Sequence, residues 1–369
     1  MENLVIPPPL PDPTFWRGRR VFLTGHTGFK GSWLALWLHQ LGAEVSAYAL
    51  PPATTPSLYE LAGIERTLTS RIGDIRDPQA LAAALAAARP QIILHLAAQA
   101  LVSEGYADPG GTYATNVMGT LNLLEAARRQ PGIEAIVVVT TDKCYENRES
   151  EHAYRETDPL GGHDPYSSSK ACTEILVASW RRSFFSGSGQ ASIATARAGN
   201  VIGGGDWAGN RLVPDLLAAF AAGETAVLRH PAAVRPWQHV LEPLGGYLLL
   251  AERLTADPAL AGAWNFGPEL EDCVSVGTVA DKVAALWPTP ARWQSQPSSL
   301  PHEAGLLRLD ASHAREKLGW QPRWRLDRAL EQTVAWHIAW QEGVDMGDFC
   351  RQQIEAYGGP ATALQTEQP

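Results

Sequence analysis

The chain of 369 residues is 45% hydrophobic with a formal net charge of −9, which suits about two lobes and disfavours nucleic acid as a partner. No stretch nears the roughly 20 apolar residues that cross a bilayer. Cysteines 144, 172, 273 and 350 show neither CxxC nor paired spacing, which argues against a metal site and fits a reducing cytoplasm. Prolines at 7, 8, 9, 11 and 13, with no basic stretch before them, mark residues 1–16 as a flexible lead-in rather than a secretory leader.

The first half alternates strand and helix. Arg20–Leu23 reads as a short apolar strand. Trp33, Leu34, Trp37, Leu38 and Leu41 then form one helical stripe, stopped by Gly42. "EVSAYAL" is the next strand, closed by Pro51 and Pro52, and another strand precedes "GDIRD". "QIILHLAAQA" and "IEAIVVVTTDKCY" are continuous apolar runs, as expected of strands covered on both faces. Helices are predicted over Pro78–Arg89 and Thr115–Arg129, and a further strand in "ASIATARAGNVIG". This is the pattern of an α/β doubly wound parallel sheet of Rossmann type. After about Gly203 loops lengthen and Pro and Trp become frequent, which predicts a smaller, irregular C-terminal substrate lobe. The expected boundaries are 1–16 for the lead-in, 17–202 for the sheet domain, 203–345 mainly for the second lobe, with returns to the sheet allowed, and 346–369 for a tail frayed in "GGPATALQTEQP".

Gly25, Gly28 and Gly31 stand at three-residue intervals between the first strand and its helix. Such a turn lets a pyrophosphate approach the backbone amides, and the helix N-terminus adds partial positive charge. The second strand ends at Tyr48-Ala49-Leu50-Pro51, with neither an acid for a ribose hydroxyl nor a base for a 2′-phosphate. NAD is expected over NADP. Asp74 would contact the adenine amine or, equally, act with Asp77 at a helix start. Lys30 would offset the pyrophosphate charge or replace the missing ribose contact; otherwise it is a lysine exposed on the first turn.

Tyr166 and Lys170, four apart in "DPYSSSKAC", share a helical face. An ammonium beside a phenol favours the phenolate, which can take a proton from an alcohol while hydride leaves its carbon. "VVVTTDKCY" delivers Thr141, Asp142 and Lys143 at the carboxyl end of a buried strand, where ligands gather in open parallel sheets.

With "TGHTGFKGSWL", "HLAAQ", "TNVMGT", "TTDKCYEN", "DPYSSSK", "RAGNVIGGGDW", "RPWQHVLEPL", "WNFGP" and "LGW" in place, the chain resembles the extended short-chain dehydrogenase/reductase enzymes that act on nucleotide sugars. "GFKGSWL" and "RPWQHVLEPL" resemble the CDP-glucose branch of the 4,6-dehydratases. The resemblance implies NAD as cofactor, a nucleotide-sugar substrate, a homodimer joined through helices near 115–129 and 168–185, and dehydration to a 4-keto-6-deoxy sugar. Cofactor-binding positions carried onto this chain are Gly25, Thr27, Gly28, Phe29, Lys30, Gly31, Asp74, Ile75, Ala97, Ala98, Gln99, Asn116, Tyr166 and Lys170. The resemblance makes Tyr166 the base at the 4-hydroxyl, Lys170 its tuner, Thr141 a hydrogen-bond partner of the same oxygen and Asp142 the acid for the departing 6-hydroxyl. Lys143 stands where the dTDP-glucose enzymes carry Glu. It is the C5 base if neutral, or an electrostatic aid if charged.

A diphosphate calls for cationic donors. Arg211, Arg229 and Arg235 are candidates, with surface ion pairs as the alternative, and Asn200 matches a family position near the phosphate. His239 reads as a loop-satisfying residue. His302-Glu303 replaces an Arg-rich loop of other nucleotide-sugar enzymes. Trp207 and Trp237 are candidate walls of the substrate pocket. A 4-epimerase or reductase of the same superfamily would need the Tyr/Lys pair but not Asp142-Lys143. A non-enzymatic cofactor sensor would have no use for the Tyr/Lys/Thr set.

Overall fold

The computed structural model describes residues 8–296 and 305–359. In chain order its strands are β1 (Arg20–Thr24), β2 (Glu44–Ala49), β3 (Thr69–Ile72), β4 (Ile92–His95), β5 (Ala135–Val139) and β6 (Ser192–Ala198). There follow β7 (Asn200–Ile202), β8 (Ala226–Leu228), β9 (Val234–His239), β10 (Ala263–Phe266), β11 (Cys273–Ser275) and β12 (Trp293–Ser295). Seven of these form one parallel sheet in the order β10-β6-β5-β4-β1-β2-β3. The order reverses beside β1, and that crevice is where open α/β sheets bind ligands. Strands β4 and β5 are buried at every position, as their unbroken apolar runs predicted.

The second lobe is built on β11-β9-β7 and β12-β8. Its own core gathers Leu216, Phe220, Trp237, Val283 and Leu330. It is not a contiguous block: helix Leu241–Ala256 and strand β10 return to the main sheet, whose core includes Leu244, Leu248 and Phe266.

Five expectations change. The run "ASIATARAGNVIG" is broken at Gly199 into β6 and β7, which lie in different sheets. A side chain at 199 would meet Pro236 Cγ at 2.5 Å, so glycine lets the chain cross tightly there. The helix predicted over Thr115–Arg129 opens into a wider π-helical stretch, Ala114–Gly119, before Thr120–Ala127. Part of the lead-in is packed: Trp16 is fully buried and its indole donates to Glu252 at 2.5 Å. Part of the tail is helix Met346–Gly358, whose Tyr357 packs edge-on to Trp37 at 5.6 Å. That helix covers the back of Phe29–Gln40, so residues 31–38 are buried all round rather than along one stripe. Residues 1–7 and 360–369 lie outside the described residues.

Glu242, in "RPWQHVLEPL", is the carboxylate that fastens this covering. It accepts from Trp324 N at 2.7 Å, Arg323 N at 3.0 Å and the Tyr357 hydroxyl at 2.7 Å. Burial nevertheless outweighs these bonds and pushes its pKa up from 4.5 to about 7. A raised carboxyl pKa stabilises the fold while the group holds its proton, so this contribution is full below pH 4.5 and is lost as pH rises through about 7. Glu242→Gln is expected to flatten the fall in melting temperature over that interval, as measured by thermal denaturation against pH. An unchanged slope would refute the assignment.

Candidate active site

A cleft of about 860 Å³ lies between the carboxyl ends of the sheet strands and the second lobe. Thr141, Lys143, Tyr166 and Lys170 line it from the sheet side, and Asn200, Arg211, Arg229 and Arg235 from the other. The sequence-predicted residues of the two halves therefore share one cavity.

Strand β5 ends at Val139, and the chain turns through Thr141 into a short 3-10 turn, Asp142–Cys144, with the Thr141 side chain as its cap. The Thr141 hydroxyl donates to Asp142 Oδ1 at 3.0 Å. Lys143 Nζ stands 3.7 Å from the same oxygen, and its side chain faces the cleft. Asp142 stands just behind the wall. It is 1% exposed, and its Oδ2 has no hydrogen-bond partner among the described residues.

Facing this turn is helix Pro165–Phe184, started by Asp164, which accepts from Ser167 N at 2.9 Å. Its first turns place Tyr166 and Lys170 on the buried face. Burial raises the Tyr166 phenol to about 12, while a hydrogen bond with Thr141 and, more weakly, the Arg211 charge pull it back. Lys170 Nζ donates to Val139 O at 3.2 Å, and burial lowers its pKa to about 8. Lys170, expected as the tuner of Tyr166, thus bonds the strand end through one of its three donors, and burial is the largest influence on the phenol.

The glycine turn fits its predicted use. Gly25 has φ +82°, and a side chain there would meet Ala97 N at 2.7 Å. A Cβ on Gly31 would lie 2.0 Å from Gly25 O, so the helix seats directly on the turn. Gly28 caps the helix with no side-chain bond, leaving the first amides free for an anion. Thr27 is tied elsewhere, its hydroxyl donating to Leu50 O at 2.8 Å. Lys30 is not exposed on the first turn: it lines the cleft, and its amine donates to the buried Tyr247 hydroxyl at 3.2 Å. Burial, with the charges of Arg211 and Lys170, lowers its pKa to about 7 against the opposing pull of Asp142.

Phe29 and Ala98 line the cleft. Ala97 N donates to Thr24 Oγ1 at 3.1 Å. Asn116 holds the neighbouring loop, accepting from Gln99 N at 2.9 Å and donating to Gln99 O at 3.0 Å and Ser169 Oγ at 2.8 Å. Ile75 is buried, and its carbonyl accepts from Asn122 Nδ2 at 3.0 Å. Asp74 is paired with Arg76 at 2.6 Å, which holds its pKa down, while Asp77 alone caps the helix that follows.

In the second lobe Arg211 pairs with Asp206 at 2.9 Å at the cleft edge, and Arg229 donates to Asn210 at 3.3 Å. Arg235 is 4% exposed and donates to Val234 O at 3.0 Å. Asn200 Oδ1 is buried without a partner among the described residues. Trp207 and Trp237 line the cleft as predicted. His239 is buried and accepts from Leu241 N at 3.3 Å, the loop role expected of it. His302 and Glu303 lie outside the described residues.

Sequence reasoning missed Glu174, Arg197 and Tyr247. Glu174 stands four residues after Lys170, so the spacing that paired Tyr166 with Lys170 already placed it on their face.

The sequence profile of the GDP-mannose 4,6 dehydratase family matches residues 22–333. The chain belongs to this family. It is 48% identical over 356 residues to a CDP-glucose 4,6-dehydratase of Salmonella typhimurium, covering 95% of this chain and 99% of that one. A dTDP-glucose 4,6-dehydratase of Neisseria meningitidis serogroup B is 27% identical, over 90% of this chain and 97% of its own. In fold, the chain is similar to DesIV, a dTDP-glucose 4,6-dehydratase from Streptomyces venezuelae, with a TM-score of 0.75 at 22% identity, covering 89% of this chain and 99% of that one.

The contact between Gly31 and Gly25 is the most exacting feature of the family's glycine turn here. Gly31→Ala is expected to lower the melting temperature and to abolish NAD binding in a fluorescence titration. Retained affinity would show that the turn tolerates a side chain.

Proposed function

We propose that the chain is an NAD-dependent CDP-glucose 4,6-dehydratase, converting CDP-D-glucose to CDP-4-keto-6-deoxy-D-glucose and water. The observation that carries this reading is the corner where Tyr166, Thr141 and Lys143 line one cleft with Arg235, with Asp142 bonded to Thr141 directly behind them. The likeness to the Salmonella enzyme across nearly the whole chain supports the choice of sugar nucleotide.

The residues fit NAD. Gly25, Gly28 and Gly31 leave room for a pyrophosphate at free helix amides, and Phe29 and Ala98 offer an apolar wall. When bound, NAD supplies a hydride acceptor that can later return the hydride. Tyr166 takes the proton of the 4-hydroxyl, with the Thr141 hydroxyl orienting the same oxygen. Once the sugar carries a 4-ketone, its C5 proton is acidic; Lys143 receives it if its amine is neutral, and a charged Lys143 steadies the enolate instead. Asp142 supplies the proton with which the 6-hydroxyl leaves as water. Arg235, with Arg211 and Asn200, holds the diphosphate. A 4-epimerase would make no use of Asp142 and Lys143.

The chain would work as a homodimer in the cytoplasm. Met118 and Phe184, on the two helical segments expected at the contact, are 50% and 43% exposed. All four cysteines are free, as in a reducing compartment. Among the described residues no helix is long and apolar enough to cross a membrane.

Incubation with CDP-glucose and NAD is expected to yield a 4-keto sugar, seen by its absorbance in alkali, with no accumulation of NADH. Tyr166→Phe should lose at least about 100-fold in kcat while still binding NAD. Full activity in that variant would remove Tyr166 from the chemistry. Light scattering should give twice the chain mass; a single-chain mass would refute the dimer.

A further inference from the structure

Beneath the cleft lies a buried ion pair that the chemistry above does not use. Glu174 and Arg197 meet at 2.7 Å with side chains 3% exposed each. Glu174 sits one turn after Lys170 on the same helix, and Arg197 is on β6. Three donors converge on the carboxylate: Thr140 Oγ1 at 2.5 Å on one oxygen, and Thr195 Oγ1 and Arg197 Nη2, each at 2.7 Å, on the other. Only an ionised carboxylate accepts from all three, since an amide would turn one NH2 toward a donor.

Thr140 joins β5 to the turn that holds Thr141, Asp142 and Lys143. Its backbone N donates to Ala196 O at 2.9 Å, so its side chain alone reaches the helix. The other side of the pair is also anchored. Arg197 Nη1 donates to the Tyr145 hydroxyl at 2.7 Å, and that hydroxyl donates to Asn265 Oδ1 at 2.7 Å. The strut thus runs from the helix, through the strand end, to the chain just beyond the turn.

We propose that Glu174 is a positioning residue for the reaction: it clamps Thr140, and with it the Thr141–Asp142–Lys143 turn, against the helix bearing Tyr166 and Lys170. This rests on the dehydratase reading above.

The test measures kcat, KM and melting temperature for the full-length enzyme with CDP-glucose and NAD across pH 6 to 9.5. Thr140→Val leaves the ion pair intact and cuts only the clamp. It should lower kcat at least about tenfold with KM within about threefold, and Thr140→Ser should restore most of the loss. A purely structural strut would lower the melting temperature alone. The proposal is overturned if Thr140→Val keeps kcat within about twofold or if serine fails to restore it. A wild type that dehydrates a different nucleotide sugar sinks the substrate reading instead, and the same variants are then compared on that sugar.

Discussion

An ion pair with almost no water around it underlies the active corner. Taking a carboxylate and a guanidinium out of water costs several kcal/mol per ion, and only dense hydrogen bonding offsets that. Here the offset comes from Thr140, Thr195 and Tyr145, three side chains from three places in the chain. Removing one partner of such a pair typically costs about 3–5 kcal/mol, whereas loosening a surface pair is nearly neutral. The corner is therefore rigid in one specific way. The strand end and the helix cannot slide apart without stranding a charge, and the placing of Tyr166 and Thr141 on one cleft depends on that register.

A second constraint is steric. The glycine-turn helix approaches the turn closely enough that no side chain fits at 31. The same helix is locked from behind by Trp33, whose indole donates to Gly204 O at 2.9 Å, and by Trp37 against Tyr357. Trp33 thereby connects the phosphate-type turn to the "GNVIGGGDW" loop, which carries Asn200 and Asp206. The two halves of the cleft thus share a direct hydrogen bond as well as a cavity.

Much of this was legible in the sequence, and the failures have physical causes. The strands were readable because β4 and β5 are buried on both faces and so form unbroken apolar runs. The break at Gly199 was hidden because apolar residues continue on either side of it. The pairing of Tyr166 with Lys170 followed from helical spacing, but the direction of the lysine amine did not, since Val139 O is a backbone group with no sequence signature. Lys30 was visible as an oddity, yet its partner Tyr247 lies 217 residues away. Arg197 was concealed within the run "ASIATARAG", where a charged residue in a buried strand makes sense only once Glu174 is placed opposite.

The distribution of charge closes the argument. The protein is acidic overall, at −9, yet Lys30, Lys143, Lys170, Arg211, Arg229 and Arg235 all line the cleft, where Asp206 is paired with Arg211. Lys30 at about 7 and Lys170 at about 8 are lowered chiefly by burial, and in Lys30 the neighbouring cations add to it. An anionic diphosphate entering this cleft relieves that repulsion and favours the protonated amines. The lysines whose pKa burial lowers become better donors beside such a charge, so the burial of these amines suits the cleft to a phosphorylated ligand as much as any single arginine does.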